Sequence, residues 1–304
     1  MIISVDTGNK QIKTIGKTFT AGLVEHDGYS PFGSDVLKYN GKYYTLSENR
    51  IPYMADKTKD NRYFILTLFA IAYEMIRTGN DIQNDLINLT LLVGLPPAHY
   101  MKLAKDFKGY FLKEDELIEF EFNRKKYCIT INDVKVYPQA YAAIANKIGE
   151  VKCFNRGIII DIGGFTADIL QINNGKIDLS VCYSEEKGTI QFYNELKNKI
   201  SSTYGLLIEE RDIDRIICKQ ETTYNKEVIE LVNKMAQNYM NDFLNTVREY
   251  GIDLKSCVTI LTGGGSLLFR DILRNSDKIG QTMLIYGLNS NAKGYETLYH
   301  ASMG

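Results

Sequence analysis

The strongest constraint in this sequence is a pattern that occurs twice. Ile2-Ile3-Ser4-Val5-Asp6 is an apolar run ended by an aspartate, and Thr7-Gly8-Asn9 follows as a turn. Ile158-Ile159-Ile160-Asp161, followed by Ile162-Gly163-Gly164, repeats the scheme about half the chain later. Each aspartate is followed, seven places on, by a polar residue: Lys13 in the first copy and Asp168 in the second. Two strand–aspartate–glycine turns so far apart predict two related halves. Each half opens on a hairpin whose turn can approach a phosphate.

Strands alternating with helices predict an α/β architecture. In the first half the patterning predicts strands over 2–6, 10–15 and 42–46, then a helix over 63–78 closed by Gly79-Asn80. A leucine-rich strand over 88–93 stops at Gly94-Leu95-Pro96-Pro97, and a helix over 99–107 follows. Residues 119–122 and 126–131 predict paired strands around Asn123-Arg124. A short strand over 134–136 leads to a helix over 139–147. In the second half, strands are expected over 157–161, 167–172 and 177–183, and helices over 190–203, 225–249 and 267–274. A buried strand over 258–261 precedes Gly263-Gly264-Gly265, and a short helix over 292–301 ends the pattern.

Composition removes several function classes. Lys and Arg number 36 against 37 Asp and Glu, a net charge of −1, which argues against coating nucleic acid or an anionic membrane. The longest apolar run, Tyr63 to Tyr73, is too short to span a bilayer and predicts a buried helix. Met1 to Asp6 meets an acid at once, which predicts a strand rather than a targeting leader. The 5 cysteines are widely spaced without a C-x-x-C pair, which predicts reduced thiols and a cytoplasmic location. His26, His99 and His300 are far apart and propose no zinc site. Trp is absent, so 21 Tyr and 13 Phe supply the aromatic core mass.

Four segments carry candidate chemistry. In the first, the turn at Gly8 and Asn9 can aim backbone N–H groups at phosphate oxygens, Asp6 can hold Mg²⁺ through water, and Lys13 can neutralise a phosphate. Taken alone, this segment reads better as an ordinary hairpin turn. The second, Asp161 to Asp168, is more specific. Gly163 and Gly164 permit close backbone approach, Thr166 can donate a hydroxyl, and Asp161 and Asp168 can anchor Mg²⁺ or its waters. Third, Gly263, Gly264 and Gly265 lie between a strand and an apolar helix, where a nucleoside or phosphate can approach without side-chain clash. Fourth, Gln139 follows a strand and Pro138 at an expected helix start, where it either orients water or caps the helix.

Other signals are weaker. Gly16-Lys17-Thr18 looks like the tail of a P-loop, but Gln11 stands where the first glycine must be. No G-x-G-x-x-G follows a strand. Asn88-Leu89-Thr90 is a glycosylation sequon in an apparently buried strand. Lys102, Lys105, Lys108 and Lys113 mark a solvated helix face.

Taken in order, Asp6–Lys13, Pro138–Ile144, Asp161–Asp168 and Leu261–Ser266 resemble the actin, heat-shock chaperone and sugar-kinase ATPase superfamily. Within it, Val93-Gly94-Leu95-Pro96, the stretch Ile131 to Gln139, and Ile159 to Ile169 look most like ParM-like bacterial actins. The resemblance implies an actin-like ATPase fold with two related domains flanking a nucleotide cleft. Domain I would cover 1–150 with a helix over 290–304 returning to it, and domain II 151–289. It implies Mg²⁺ with ATP or GTP, Asp6 and Asp161 as metal-associated acids, and Lys13 on phosphate. Gln139 and Asp161 would be catalytic, Gly263, Gly264 and Gly265 would face the adenosine, and Gly188 its adenine side. Asn9 departs from the Gly-Ser or Gly-Thr of many members. The implied function is a self-assembling ATPase whose filaments segregate plasmid DNA through a small DNA-binding adaptor, without direct nucleic-acid or membrane binding. The competing reading is a small-molecule kinase of the same fold, for which no separate sugar-binding motif stands out. A non-enzymatic scaffold is disfavoured by the intact acids, and a chaperone by the lack of residues for a peptide-binding domain.

Overall fold

The computed structural model describes residues 1–29, 35–54, 56–80, 86–112 and 116–303. The chain divides into two compact units, Met1–Asn146 with Leu288–Gly304, and Lys147–Gly287. In the first unit the strands are β1 (Ile2–Thr7), β2 (Gln11–Lys13), β3 (Thr18–Thr20), β4 (Leu23–His26), β5 (Val36–Tyr39), β6 (Lys42–Leu46), β7 (Leu86–Leu95), β8 (Ile118–Phe122) and β9 (Lys125–Pro138). They form one sheet of order β3-β2-β1-β7-β9-β8-β5-β6-β4. Its helices are α1 (Arg62–Arg77) and α2 (Pro97–Phe111). The second unit contains α3 (Ile148–Val151), β10 (Arg156–Ile162), β11 (Ala167–Asn173), β12 (Lys176–Glu185), α4 (Thr189–Tyr204), α5 (Glu210–Ile217), α6 (Lys226–Glu249), β13 (Val258–Thr262), α7 (Gly263–Leu268), α8 (Arg270–Arg274) and β14 (Gln281–Leu284). The last helix, α9 (Ser290–Met303), lies in the first unit.

The two halves are related strand for strand. The run β3-β2-β1-β7-β9 matches the sheet β12-β11-β10-β13-β14 of the second unit. In each run the first two pairings are antiparallel and the last two parallel. The cross-strand register is the same as well, with Asp6 opposite Lys13 and Asp161 opposite Asp168. The seven-residue spacing seen in the sequence is therefore the step of one hairpin, used twice.

Side-chain alternation along the central strands sorts the helices between faces. Ile3, Val5, Leu91 and Val93 face a core shared with α1 and with Phe107 and Phe111 of α2. Leu92 faces the other way and packs with Ala142 and Tyr295 of α9. Helix α1 is buried along most of its length, from Tyr63 to Met75, as its apolar run predicts. Fully burying one such side chain is worth about 1.5–3 kcal/mol relative to exposure. In the second unit, Ile158, Ile160 and Ile162 face α4, α5 and α6. Helix α6 is started by Asn225, whose side chain accepts from the Val228 N–H at 3.0 Å.

Helix α9 docks closely because Gly294 has no side chain. A Cβ there would collide with the carbonyl oxygen of Ala142. Backbone cannot yield as a flexible side chain can. Gly294→Val is expected to cost about 2–3 kcal/mol, the scale of overpacking a tight contact. Thermal melting checks this, and an unchanged melting temperature would contradict the close docking.

Several expectations from sequence need correction. The strands expected over 126–131 and 134–136 are one strand, β9. Asn132-Asp133 reads as a break but is a bulge, where the pairing shifts from Leu89–Ile131 to Thr90–Asp133. No helix begins at Gln139. Ala140 takes a left-handed φ of 61°, and a 3-10 turn starts only at Ala142. The glycine triplet does not precede a helix but forms the first turn of α7. Strands β3, β4, β5 and β14 and helix α5 were not anticipated. Asn88 lies in a strand but is exposed, and its side chain accepts from Thr130 and Asn132. Lys102 and Lys105 are exposed as expected, Lys108 pairs with Asp133 at 3.0 Å, and Lys113 lies outside the described residues. Among the described residues no helix is long and apolar enough to cross a membrane.

Candidate functional site

In the first unit the β1–β2 hairpin positions Asp6 and Lys13 on one face of the sheet. The aspartate is 2% exposed, and Lys13 Nζ lies 3.6 Å from its Oδ2. Gln139 arrives from the end of β9. Its backbone N–H donates to the Leu95 carbonyl at 2.8 Å, and its side-chain Nε2 donates to Asp6 Oδ1 at 2.8 Å. A carboxylate only accepts, so the Gln139 amide nitrogen must face it, leaving Oε1 as the free end of the amide's orientation. The left-handed Ala140 then turns the chain away, and its N–H donates to Asn291 Oδ1 of α9 at 3.1 Å. Asp6, Lys13 and Gln139 thus converge from distant positions.

The turn itself is compact. A Cβ on Gly8 would lie 2.6 Å from the Gln11 carbonyl oxygen. Asn9 Oδ1 accepts from the Tyr63 hydroxyl at 2.6 Å. Thr7 is fully buried, and its hydroxyl has no hydrogen-bond partner among the described residues. Lys57, from a 3-10 turn before α1, donates its ammonium to the Thr7 carbonyl. Neither Lys57 nor Tyr63 was singled out in the sequence. Lys57 sits in Asp56-Lys57-Thr58-Lys59-Asp60, which reads as an ordinary solvated charged turn.

In the second unit the β10–β11 hairpin carries Asp161, 7% exposed, and Asp168, 4% exposed, as direct cross-strand partners. As cross-strand partners, their side chains share a face of the sheet. Asp168 Oδ1 accepts from the Ser184 hydroxyl at 2.6 Å. The turn closes through the Gly163 N–H to the Thr166 carbonyl at 2.8 Å. It is then stitched to the start of α4. The N–H groups of Gly188, Thr189 and Ile190 donate to the carbonyls of Phe165, Gly163 and Gly164 at 3.0, 3.1 and 2.8 Å. Gly188 has a clear packing reason, since a Cβ would fall 2.5 Å from the Phe165 carbonyl carbon.

The glycine triplet closes over the same hairpin. Strand β13 runs parallel to β10 with Thr262 beside Asp161. Gly263 follows at φ +86°, where a Cβ would meet Asp161 Oδ1 and lie 2.6 Å from the Ile162 carbonyl oxygen. A Cβ on Gly265 would come 2.8 Å from Thr189 Cγ2. Asp161, Gly163, Gly164, Gly188, Gly263 and Gly265 therefore form one cluster. Among the described residues no group of three His, Cys, Asp or Glu side chains is arranged to hold a metal by itself.

The comparisons follow this division. The actin-like proteins N-terminal domain family matches residues 4–141, and the archaeal actin homologue MreB-like C-terminal family matches residues 159–275. The fold is similar to that of an archaeal actin homologue in complex with ADP, with 18% identity, a TM-score of 0.77 and 99% of each chain covered. A 15-stranded ParM filament from Clostridium botulinum matches at 18% identity and a TM-score of 0.74, covering 100% of this chain and 99% of that one. The actin-like protein Alp7A matches at 14% identity and a TM-score of 0.77, covering 100% and 97%. No curated protein sequence matches.

Proposed function

We propose that this chain, whose two halves match actin-like family models, binds Mg²⁺–ATP or Mg²⁺–GTP, polymerises with nucleotide bound, and hydrolyses it in the filament. The observation that carries the proposal is the twice-used hairpin, with a buried aspartate at each strand end and a glycine turn beyond it. In the first unit Lys13 supplies positive charge. Asn9 spends its acceptor on Tyr63, so its amide hydrogens remain for an anion. In the second unit Gly188, Gly263 and Gly265 let three segments close tightly around Asp161, and Gly263, Gly264 and Gly265 would lie on the nucleoside side.

The carboxylates fit a Mg²⁺ that keeps its waters. Asp161 and Asp168 place two buried carboxyl groups opposite one another, and a nearby cation would favour their ionised forms. Among the described residues too few protein ligands gather for a dedicated cage, so Asp6, Asp161 and Asp168 would act through water and nucleotide oxygens. Bound Mg²⁺ would neutralise charge on the transferring phosphate. Gln139, held by Asp6, would orient the attacking water.

The finer reading is a filament that moves plasmid DNA through a small DNA-binding adaptor. Its support is the likeness to ParM structures and a net charge of −1, which disfavours direct DNA binding. Light scattering and pelleting test the proposal. Assembly is expected with ATP or GTP and not without nucleotide. Monomers alone, with phosphate transfer to an added sugar or acid, would favour the small-molecule kinase.

A further inference from the structure

We infer that Lys57 is a positioning residue of the first phosphate hairpin, acting through the Thr7 carbonyl, with Tyr63 as its companion through Asn9. This rests on the nucleotide-binding reading. Lys57 is 7% exposed, and burying an ammonium is costly unless its charge is used. Its Nζ donates to the Thr7 carbonyl and lies 5.2 Å from the centroid of the Tyr63 ring. Tyr63 is itself fully buried, and its hydroxyl donates to Asn9 Oδ1 at 2.6 Å. The two side chains therefore grip the turn on either side of Gly8.

Both come from one short, well-anchored segment. Asp56 caps the 3-10 turn that carries Lys57, accepting from the Thr58 N–H at 3.1 Å and its hydroxyl at 2.6 Å. Tyr63 lies in the first turn of the buried helix α1. The hairpin is thus referenced to α1 rather than left to its own turn geometry.

The chemistry follows from the peptide unit. A trans peptide points its carbonyl and the next N–H to opposite sides, and no described peptide is cis. Drawing the Thr7 carbonyl toward Lys57 turns the Gly8 N–H away from it. A cation on the carbonyl also polarises the peptide and makes that N–H a stronger donor. Both effects favour an anion at the turn and do nothing for a nucleoside. The recognised feature is therefore the polyphosphate, not the base.

Calorimetric titration of full-length protein with ATP, ADP and AMP tests this. Lys57→Met keeps the length and apolar stem but removes the charge. ATP and ADP affinity should fall about tenfold, the scale of losing one charge-assisted hydrogen bond, with AMP changed less than about twofold. Tyr63→Phe should shift the same ratio in the same direction by about threefold. A thermal melt of each variant separates loss of fold from loss of preference. A folded Lys57→Met protein with an unchanged ratio of ATP to AMP affinity overturns the inference. If Lys57→Met does not fold, an unchanged ratio in Tyr63→Phe overturns it instead. Wild-type protein that binds none of the three nucleotides would instead overturn the nucleotide-binding reading itself.

Discussion

Asp161→Asn is expected to remove most nucleotide turnover from a protein that still folds. The substitution keeps the shape and deletes one charge of a cross-strand carboxylate pair. A unit charge about 4 Å from a partner is worth roughly 4 kcal/mol at an effective dielectric of 20. Losing part of that stabilisation should slow phosphate release by about a hundred- to a thousandfold, or about 2.7–4 kcal/mol of barrier. Wild-type phosphate release from folded Asp161→Asn protein would remove Asp161 from the chemistry. A large fall in melting temperature would mean that its carboxylate holds the hairpin instead.

Gln139→Ala is expected to bind nucleotide and assemble normally, yet release phosphate slowly and leave long-lived filaments. The amide nitrogen is committed to Asp6, so Oε1 is the end that can accept from a water. A glutamine is a poor base, and its contribution would be orientation of the nucleophile. Losing such orientation costs a factor of roughly ten to a thousand, about 1.4–4 kcal/mol. A capping role predicts something else, a stability loss of about 1 kcal/mol with no kinetic effect. The side chain goes to Asp6 rather than to a helix end, which favours the kinetic outcome. Phosphate release and filament lifetime, measured on the same preparation, decide between them. Wild-type rates in a folded variant would sink the role.

What was legible in the chain was local. Asp6–Lys13 and Asp161–Asp168 could be recognised because a hairpin is a short-range object, its apolar strand, acid and glycines lying within a few residues. The α1 helix was visible for the same reason, as an unbroken apolar run. The order of these segments along the chain carried the resemblance to actin-like ATPases. Where local cues misled, a short-range rule met a long-range partner. Asn132-Asp133 reads as a strand end, but pairing with β7 absorbs the extra residue as a bulge. Helix α5 buries Ile213, Ile216 and Ile217 at helical spacing on one face, and its other five residues are all charged, which masks the apolar pattern in the sequence.

The two hairpins, the α/β class and the candidate acids are written locally, because each depends on residues close together in the chain. It takes long-range packing to bring Gln139 to Asp6, to set Lys57 and Tyr63 on the turn at Gly8, and to make Gly188 and Gly263 necessary against the second hairpin. Those contacts join residues 50 to 133 positions apart, or depend on a Cβ that is missing. No local propensity encodes such a pairing. It arises when sheet register and helix docking bring the distant side chains to the same place.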